Sequence, residues 1–112
     1  MSMEQATVSL DARLVVVLKA LSNPIRLQIL AWLRDPERYF SLEGAIADPL
    51  EVGVCVTHIQ ASTGLAQSTV SAYMAELERA GLVVATRIGK WTHYRRDEPQ
   101  IARVLEEISA VL

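Results

Sequence analysis

Cysteine is nearly absent from this chain of 112 residues, and the single Cys55 rules out an internal disulfide and fits a reducing compartment. No apolar run approaches the roughly 20 residues that a membrane-spanning helix needs. The opening Met1-Ser-Met-Glu-Gln5 lacks the basic-then-apolar pattern of a secretory leader. These absences lead to the expectation of a cytoplasmic protein without a membrane partner. Also missing are a phosphate-cradling glycine loop, a nucleophile accompanied by base and orienter, and paired carboxylates in a recognisable setting, so neither enzymatic activity nor a cofactor is expected. Nor is there an excess of positive charge. With 11 basic and 13 acidic residues, a net charge of −2 and a pI near 5.6, the chain cannot coat nucleic acid indiscriminately, and binding would need a localised patch. What the chain has in quantity is apolar: 51% of its residues are hydrophobic, enough for one compact domain over residues 1–112. A domain this small buries a limited core and often gains stability by oligomerising.

The densest local signal runs from Thr57 to Arg96. A short helix, Thr57-His-Ile-Gln-Ala-Ser-Thr63, meets Gly64, a residue that takes positive φ without steric cost and so can end a helix in a sharp turn. Ser68 follows as a candidate N-cap of a second helix that continues to Ala80, before Gly81. In that helix Val70, Met74 and Leu77 recur at four and three and form an inward stripe. Gln67, Ser68, Thr69, Ser71 and Tyr73 crowd its N-terminal turns, where short hydroxyl and amide side chains can approach phosphates and base edges. By itself such a face is also what an ordinary solvated helix shows.

The following segment decides between the two. Leu82-Val-Val-Ala-Thr-Arg87 and Thr92-His-Tyr-Arg-Arg96 are β-prone runs flanking Ile88-Gly-Lys-Trp91, with Gly89 supplying a tight turn. Between Ala80 and Arg96 the charged residues are Arg87, Lys90, Arg95 and Arg96, with no acid among them, in a chain that is acidic overall. Cations at a hairpin tip pair with backbone phosphate and contribute salt-dependent, sequence-independent affinity. A helix-turn-helix followed by a basic hairpin reads as a winged helix-turn-helix, with the two-helix unit at about 57–80 and the wing at about 82–96.

Three separated motifs in this order resemble the ArsR/SmtB repressors, bacterial winged-helix sensors of metals, metalloids and other stress signals. They are Leu21-Ser-Asn-Pro-Ile-Arg-Leu-Gln-Ile-Leu30; Ser68-Thr-Val-Ser71 with Leu77 and Ala80-Gly-Leu82; and Arg87-Ile-Gly-Lys-Trp91 with Tyr94. The resemblance covers roughly residues 8 to 112. It implies a mainly helical fold with a small hairpin, in the order α-α-α-α-β-β-α, and a homodimer that binds a double-stranded operator as a repressor. Recognition-helix contacts would come from Gln67, Ser68, Thr69, Ser71 and Tyr73, and wing contacts from Arg87, Lys90 and Arg95. Two recognition helices related by a two-fold axis can read a pseudo-palindrome about 34 Å apart.

Asn23-Pro24 suits the start of a helix, since Asn caps well and Pro tolerates the first helical position; Ile25, Ile29, Leu30 and Leu33 then form its core stripe. Arg26 beside them reads as structural and is left outside the site. Ile101, Val104, Leu105, Ile108, Val111 and Leu112 repeat at three and four near the C-terminus, and Val8, Leu10, Leu14, Val17, Leu18 and Leu21 make an equally apolar first segment. In the resembled family these two elements pair about the two-fold axis, which assigns Leu14, Leu18, Ile101, Leu105, Ile108 and Leu112 to a dimer interface. Soft-metal sensors of that family carry Cys-x-Cys at the start of the helix before the turn; here Cys55 occupies the first position and Thr57 the second. One thiolate cannot build a Cys-rich site, so no metal is expected, with Cys55 as a small buried helix-start residue. A metal or thiol-redox sensor built on Cys55 and His58 stands as the alternative.

The stretch 35–54 departs from the family. It is longer than a usual helix-to-helix connection, and Tyr39, Phe40, Leu42, Ile46 and Leu50 are too apolar for a solvated linker. These residues either cover a core edge or the dimer interface, the preferred reading, or line a pocket for a small-molecule inducer. A winged-helix protein-interaction module that binds no DNA is the reading from another class, and the basic wing speaks against it.

Overall fold

The computed structural model describes residues 11–112; Val8 and Leu10 of the first apolar segment lie outside them. Helix α1 (Ala12–Leu21) opens where the Asp11 carboxylate accepts from the Arg13 amide at 2.8 Å. Helix α2 (Pro24–Trp32) starts at Asn23, whose side-chain oxygen accepts from the Ile25 and Arg26 amides at 2.9 and 3.0 Å, the cap that Asn-Pro predicts. A single turn, α3 (Pro36–Tyr39), follows, then a two-residue strand β1 (Val54–Cys55), helices α4 (Val56–Thr63) and α5 (Gln67–Arg79), strands β2 (Val83–Ile88) and β3 (Trp91–Arg96), and α6 (Glu98–Val111). The chain reverses between α4 and α5 at Gly64, with φ of 71°, and between β2 and β3 at Gly89, with φ of 60°.

The mainly helical fold with a hairpin is the expected one, with two additions. The hairpin is part of a three-stranded antiparallel sheet in the order β1-β3-β2, and the insertion contributes α3. Neither carries a periodic signal. Four residues are too few to show a helical stripe, and β1 exists because the free edge of β3 offers it backbone partners, Val54 opposite Tyr94 and Cys55 opposite His93. Gly53 is what lets the two strands meet: its φ is 132°, and a Cβ there would lie 2.5 to 2.7 Å from backbone atoms of Tyr94.

The core is a seam between α1, α2, α4, α5 and the sheet. Ile29, Ile59, Val70, Met74, Leu77 and Leu82 are at most 1% exposed, joined by Leu14, Val17, Leu33, Val54 and Val104. The stripe Val70-Met74-Leu77 is buried as read. Ile25 is not: it stands 36% exposed on the flank of α2, and the buried residues of that helix are Ile29 and Leu30. The insertion divides by position. Phe40 is buried, packing edge-to-face on Trp32 with ring centres 5.9 Å apart, and Leu42 packs against the core, so both close a core edge. Ile46 and Leu50, at 63% and 61%, face outward.

Candidate nucleic-acid interface

Helix α5 begins without a side-chain cap. Ala66 holds the N-cap position with extended backbone, and Ser68, expected to cap, is the second helical residue and exposed. Ala66 has no side-chain acceptor, and its carbonyl takes the Thr69 and Val70 amides, each at 3.1 Å. The first turn of α5 therefore presents amides of the kind that bind phosphate at a helix start. Gln67 and Ser68 stand exposed beside them, with Thr69 and Ser71 half-buried.

Tyr73 lies elsewhere. At about 100° per residue, two residues turn a helix by about 200°, so Ser71 and Tyr73 point about 160° apart and cannot share a groove-facing surface. The Tyr73 ring is half-buried and covered by the Arg26 guanidinium, 5.3 Å from its centre. Arg26 in turn donates to the carbonyls of Ala20 at 2.7 Å and Lys19 at 3.3 Å, so it closes the C-terminus of α1, the structural role read for it. The outward line of α5 instead passes through Ser68, Ala72 and Arg79, all exposed. Ala72 escaped the sequence reading because it has no polar group; the spacing of four from Ser68 was the signal that could have found it. Arg79 carries an ion pair with Glu76 on the same face.

The wing is a two-residue hairpin, with Ile88 paired to Trp91 across Gly89-Lys90. Arg87 and Lys90 are both exposed at the tip. The Arg87 Nε donates to the Gly89 carbonyl at 3.0 Å, which fixes the stem of the side chain and leaves its terminal nitrogens outward, and the Lys90 ammonium sits 5.5 Å from the Trp91 ring centre. Arg95 is not brought to this tip. It pairs with Val84 near the base of the hairpin, on the face opposite to Arg87 by strand alternation, beside Leu33, Pro49 and Leu50. Arg96 is consumed internally: it donates to the Leu30 carbonyl at 3.0 Å and forks onto the Glu98 carboxylate, locking β3 to α2 and α6. That fork holds Glu98 below its ordinary value, against a smaller opposing effect of burial. Burial pushes the Tyr94 hydroxyl up, helped by the charge of Glu78.

The assigned interface residues also separate. Leu14 is 5% exposed and belongs to the protomer's own core, and Ile101 and Ile108 pack partly against it. Leu18, Leu105 and Leu112 stand 47%, 60% and 99% exposed, together with Val15, Val16 and Leu27, which the sequence reading had not assigned. Leu27, Leu30, Ile101, Leu105 and Ile108 line an apolar groove of about 280 Å³ between α2 and α6.

Cys55 and His58 border a different cavity, of about 230 Å³, between the insertion and the Trp91–His93 stretch of the wing. Cys55 is half-buried rather than buried, and its sulfur accepts from the Thr57 hydroxyl at 3.2 Å. His58 Nε2 donates to the Glu43 carbonyl at 3.0 Å. Among the described residues no three His, Cys, Asp or Glu side chains are disposed to hold a metal ion. No single helix among them is long and apolar enough to cross a membrane.

Two helices about a tight turn, the second with an exposed polar start, followed by a hairpin with cations at its tip, define a winged helix-turn-helix domain. The chain is 48% identical over 92 residues, 82% of its length and 91% of the other's, to the uncharacterized HTH-type transcriptional regulator YbzH of Bacillus subtilis. It is 38% identical over 73 residues to the "Putative arsenical resistance operon repressor ArsR2" of Halobacterium salinarum, a match spanning 64% of this chain and 59% of that one. Its fold superposes with a TM-score of 0.62 at 30% identity on Mb0332 of Mycobacterium bovis, covering 99% of this chain and 86% of that one; Mb0332 is described as a homodimeric winged helix-turn-helix DNA-binding domain and a possible ArsR-family transcriptional regulator. No protein-family profile matches the chain. This protein belongs to the ArsR family of winged-helix transcriptional regulators, a family that regulates transcription and performs no catalysis.

Proposed function

We propose that the chain acts as a homodimeric repressor, a single domain over residues 1–112 that binds a pseudo-palindromic operator and is released by a chemical signal. The observation that carries the DNA contact is the pairing of an uncapped, polar helix start on α5 with exposed cations at the hairpin tip. Gln67, Ser68, Ser71 and Ala72 enter the major groove, Thr69 supports them from its half-buried place, and Arg87 and Lys90 reach the flanking phosphates. Tyr73 braces Arg26, and Arg95 serves the base of the wing, so neither touches DNA in this reading.

Support for the dimer is the apolar surface left by α1, α2 and α6. Large residues such as Leu18, Leu27, Leu105 and Leu112 stay exposed in one protomer, and a second copy related by two-fold symmetry covers them with the same surface. The M. bovis relative is described as homodimeric. A gel shift on the DNA upstream of the chain's own gene, repeated across salt concentrations, tests the reading. The expected result is one shifted species whose affinity falls steeply with salt. A protein that leaves this DNA and random DNA unshifted at low salt overturns it in favour of a protein-interaction module.

A further inference from the structure

Cys55 and His93 are direct cross-strand partners in the β1–β3 ladder. Residues so placed project from the same face of a sheet with Cβ atoms about 4.5–5.5 Å apart, and both border the 230 Å³ cavity between the insertion and the wing. His93 is 2% exposed, and its Nδ1 is buried without a hydrogen-bond partner. An imidazole kept in that condition beside a thiol is the arrangement in which a base can take the proton of a sulfur nucleophile.

The rest of the cavity narrows what could react there. Ala45, Ile46 and Trp91 give it apolar walls, and no Asp, Glu, Lys or Arg lines it, so it favours an uncharged molecule. Its volume falls below the roughly 300–1,000 Å³ of pockets for drug-sized ligands, which limits the occupant to about one ring. The Thr57 hydroxyl, donating to Sγ at 3.2 Å, holds the sulfur in place at the wall.

We propose that Cys55, with His93 as its base, is a covalent sensor site for small uncharged α,β-unsaturated carbonyl compounds, quinones included. The thiol adds across the conjugated double bond. The Sγ–H bond breaks and its proton passes to His93; the Sγ–C bond forms at the β-carbon; the π pair moves to the α-carbon and takes up the proton from His93. No oxidant, reductant or leaving group takes part. Cys55 ends β1 and holds the N-cap position of α4, so an adduct wedges the sheet away from the helix-turn-helix and shifts the wing relative to α5. The DNA-competent dimer is thereby disfavoured. This regulatory consequence rests on the repressor reading above, whereas the addition itself does not.

The test uses the full chain and para-benzoquinone at neutral pH, with adduct formation followed by intact mass and located by peptide mapping. The expected result is one adduct per chain, on Cys55, formed at least about tenfold faster than with N-acetylcysteine. His93→Gln should lower the rate by about the same factor and flatten its pH dependence, and Ala45→Trp, at an exposed position on the cavity wall, should block addition by filling the space. Circular dichroism shows whether His93→Gln folds; if it does not, Ala45→Trp decides alone. A wild-type rate no greater than that of N-acetylcysteine, or one that the folded variants leave unchanged, overturns the site. Adding the quinone to a preformed protein–DNA complex should release the DNA in the wild type and not in Cys55→Ser. Rapid addition with DNA retained overturns the regulatory step, and a protein that never binds DNA fails the repressor reading while the addition rates still decide the site.

Discussion

The two exposed surfaces of this protein are opposites. Around the start of α5 and the tip of the hairpin Gln67, Ser68, Arg87 and Lys90 stand exposed beside Trp91 and two alanines, whereas α1 and α6 expose, among their charged residues, the large apolar Val15, Val16, Leu18 and Leu105. The first surface is at ease in water and gains by exchanging counterions for phosphate. The second loses free energy for as long as it stays wet, at about 25 cal/mol per Å² of apolar area. On the proposed reading, the first is a reversible, salt-sensitive contact with DNA and the second a standing contact between protomers, and reading two half-sites requires both. Substitutions on the two surfaces should fail in different ways.

The largest effect is expected from Leu105→Glu combined with Leu18→Glu. Both positions are exposed in the protomer, so each chain should fold, but a buried unpaired charge costs a dimer several kcal/mol. Sedimentation should find monomers, and specific DNA binding should vanish with the second half-site. Intact dimers would move the interface elsewhere. The same double substitution with Leu14→Ala in place of Leu18→Glu should behave differently, since Leu14 supports the protomer's core: thermal stability falls by about 2–5 kcal/mol.

Gly53→Ala should come next. Its Cβ would meet the Tyr94 backbone at 2.5 Å, at a positive φ of 132° that costs an L side chain about 1–3 kcal/mol before the clash is counted. The expected outcome is a loss of at least about 2 kcal/mol in denaturant unfolding, with β1 detached from β3 in amide exchange. A stable variant with protected Val54 and Cys55 amides would show that β1 does not depend on this close approach.

On the DNA surface the effects should be smaller and should separate by kind. Gln67→Ala or Ser68→Ala should cost about 1–3 kcal/mol on the operator and less on random DNA, because base-edge contacts discriminate. Arg87→Ala and Lys90→Ala should weaken both DNAs equally and flatten the logarithmic salt slope by about one unit each. Arg95→Ala should leave the slope unchanged; a change equal to that of Lys90→Ala would restore it to the wing.

Smallest of all is the Arg96–Glu98 fork. The carboxyl is held below its ordinary 4.5 in the folded protein, so its contribution is complete above that value and is lost as pH falls through the lowered one. Glu98→Gln should remove that part of the acid sensitivity while costing no more than the about 0–1 kcal/mol of an exposed ion pair. Equal acid unfolding curves for the two proteins would show that the fork adds nothing.

The helix-turn-helix and hairpin were legible in the sequence because each is made by short-range rules. The Val70-Met74-Leu77 stripe, the Asn23-Pro24 cap and the glycine turns at 64 and 89 depend on neighbours within a few residues, and all stand in the structure where they were read. The same local rules pointed to the basic tip, because Arg87 and Lys90 are separated from each other by only one turn of chain.

Other features depend on groups far away in the chain, and local patterns could not supply them. Tyr73 and Ser71 look alike as polar members of one helix, yet only the packing of α1 and α2 brings Arg26 over one of them. Arg95 and Arg96 look like further wing cations, yet pairing with Val84 sets Arg95 near the base of the hairpin and the carbonyl of Leu30, 66 residues before Arg96, takes up the Arg96 guanidinium. A heptad-like stripe marks Leu14 and Leu18 equally, and it is the position of the core that buries the first and leaves the second exposed. The longer helices, the hairpin and their order could be read from short-range pattern, because torsional preference and apolar periodicity act over a few residues; the single turn at Pro36–Tyr39 and the strand Val54–Cys55 could not. Which of the marked side chains stay exposed depends on the whole fold, because burial and long-range hydrogen bonding follow from what it brings next to each of them.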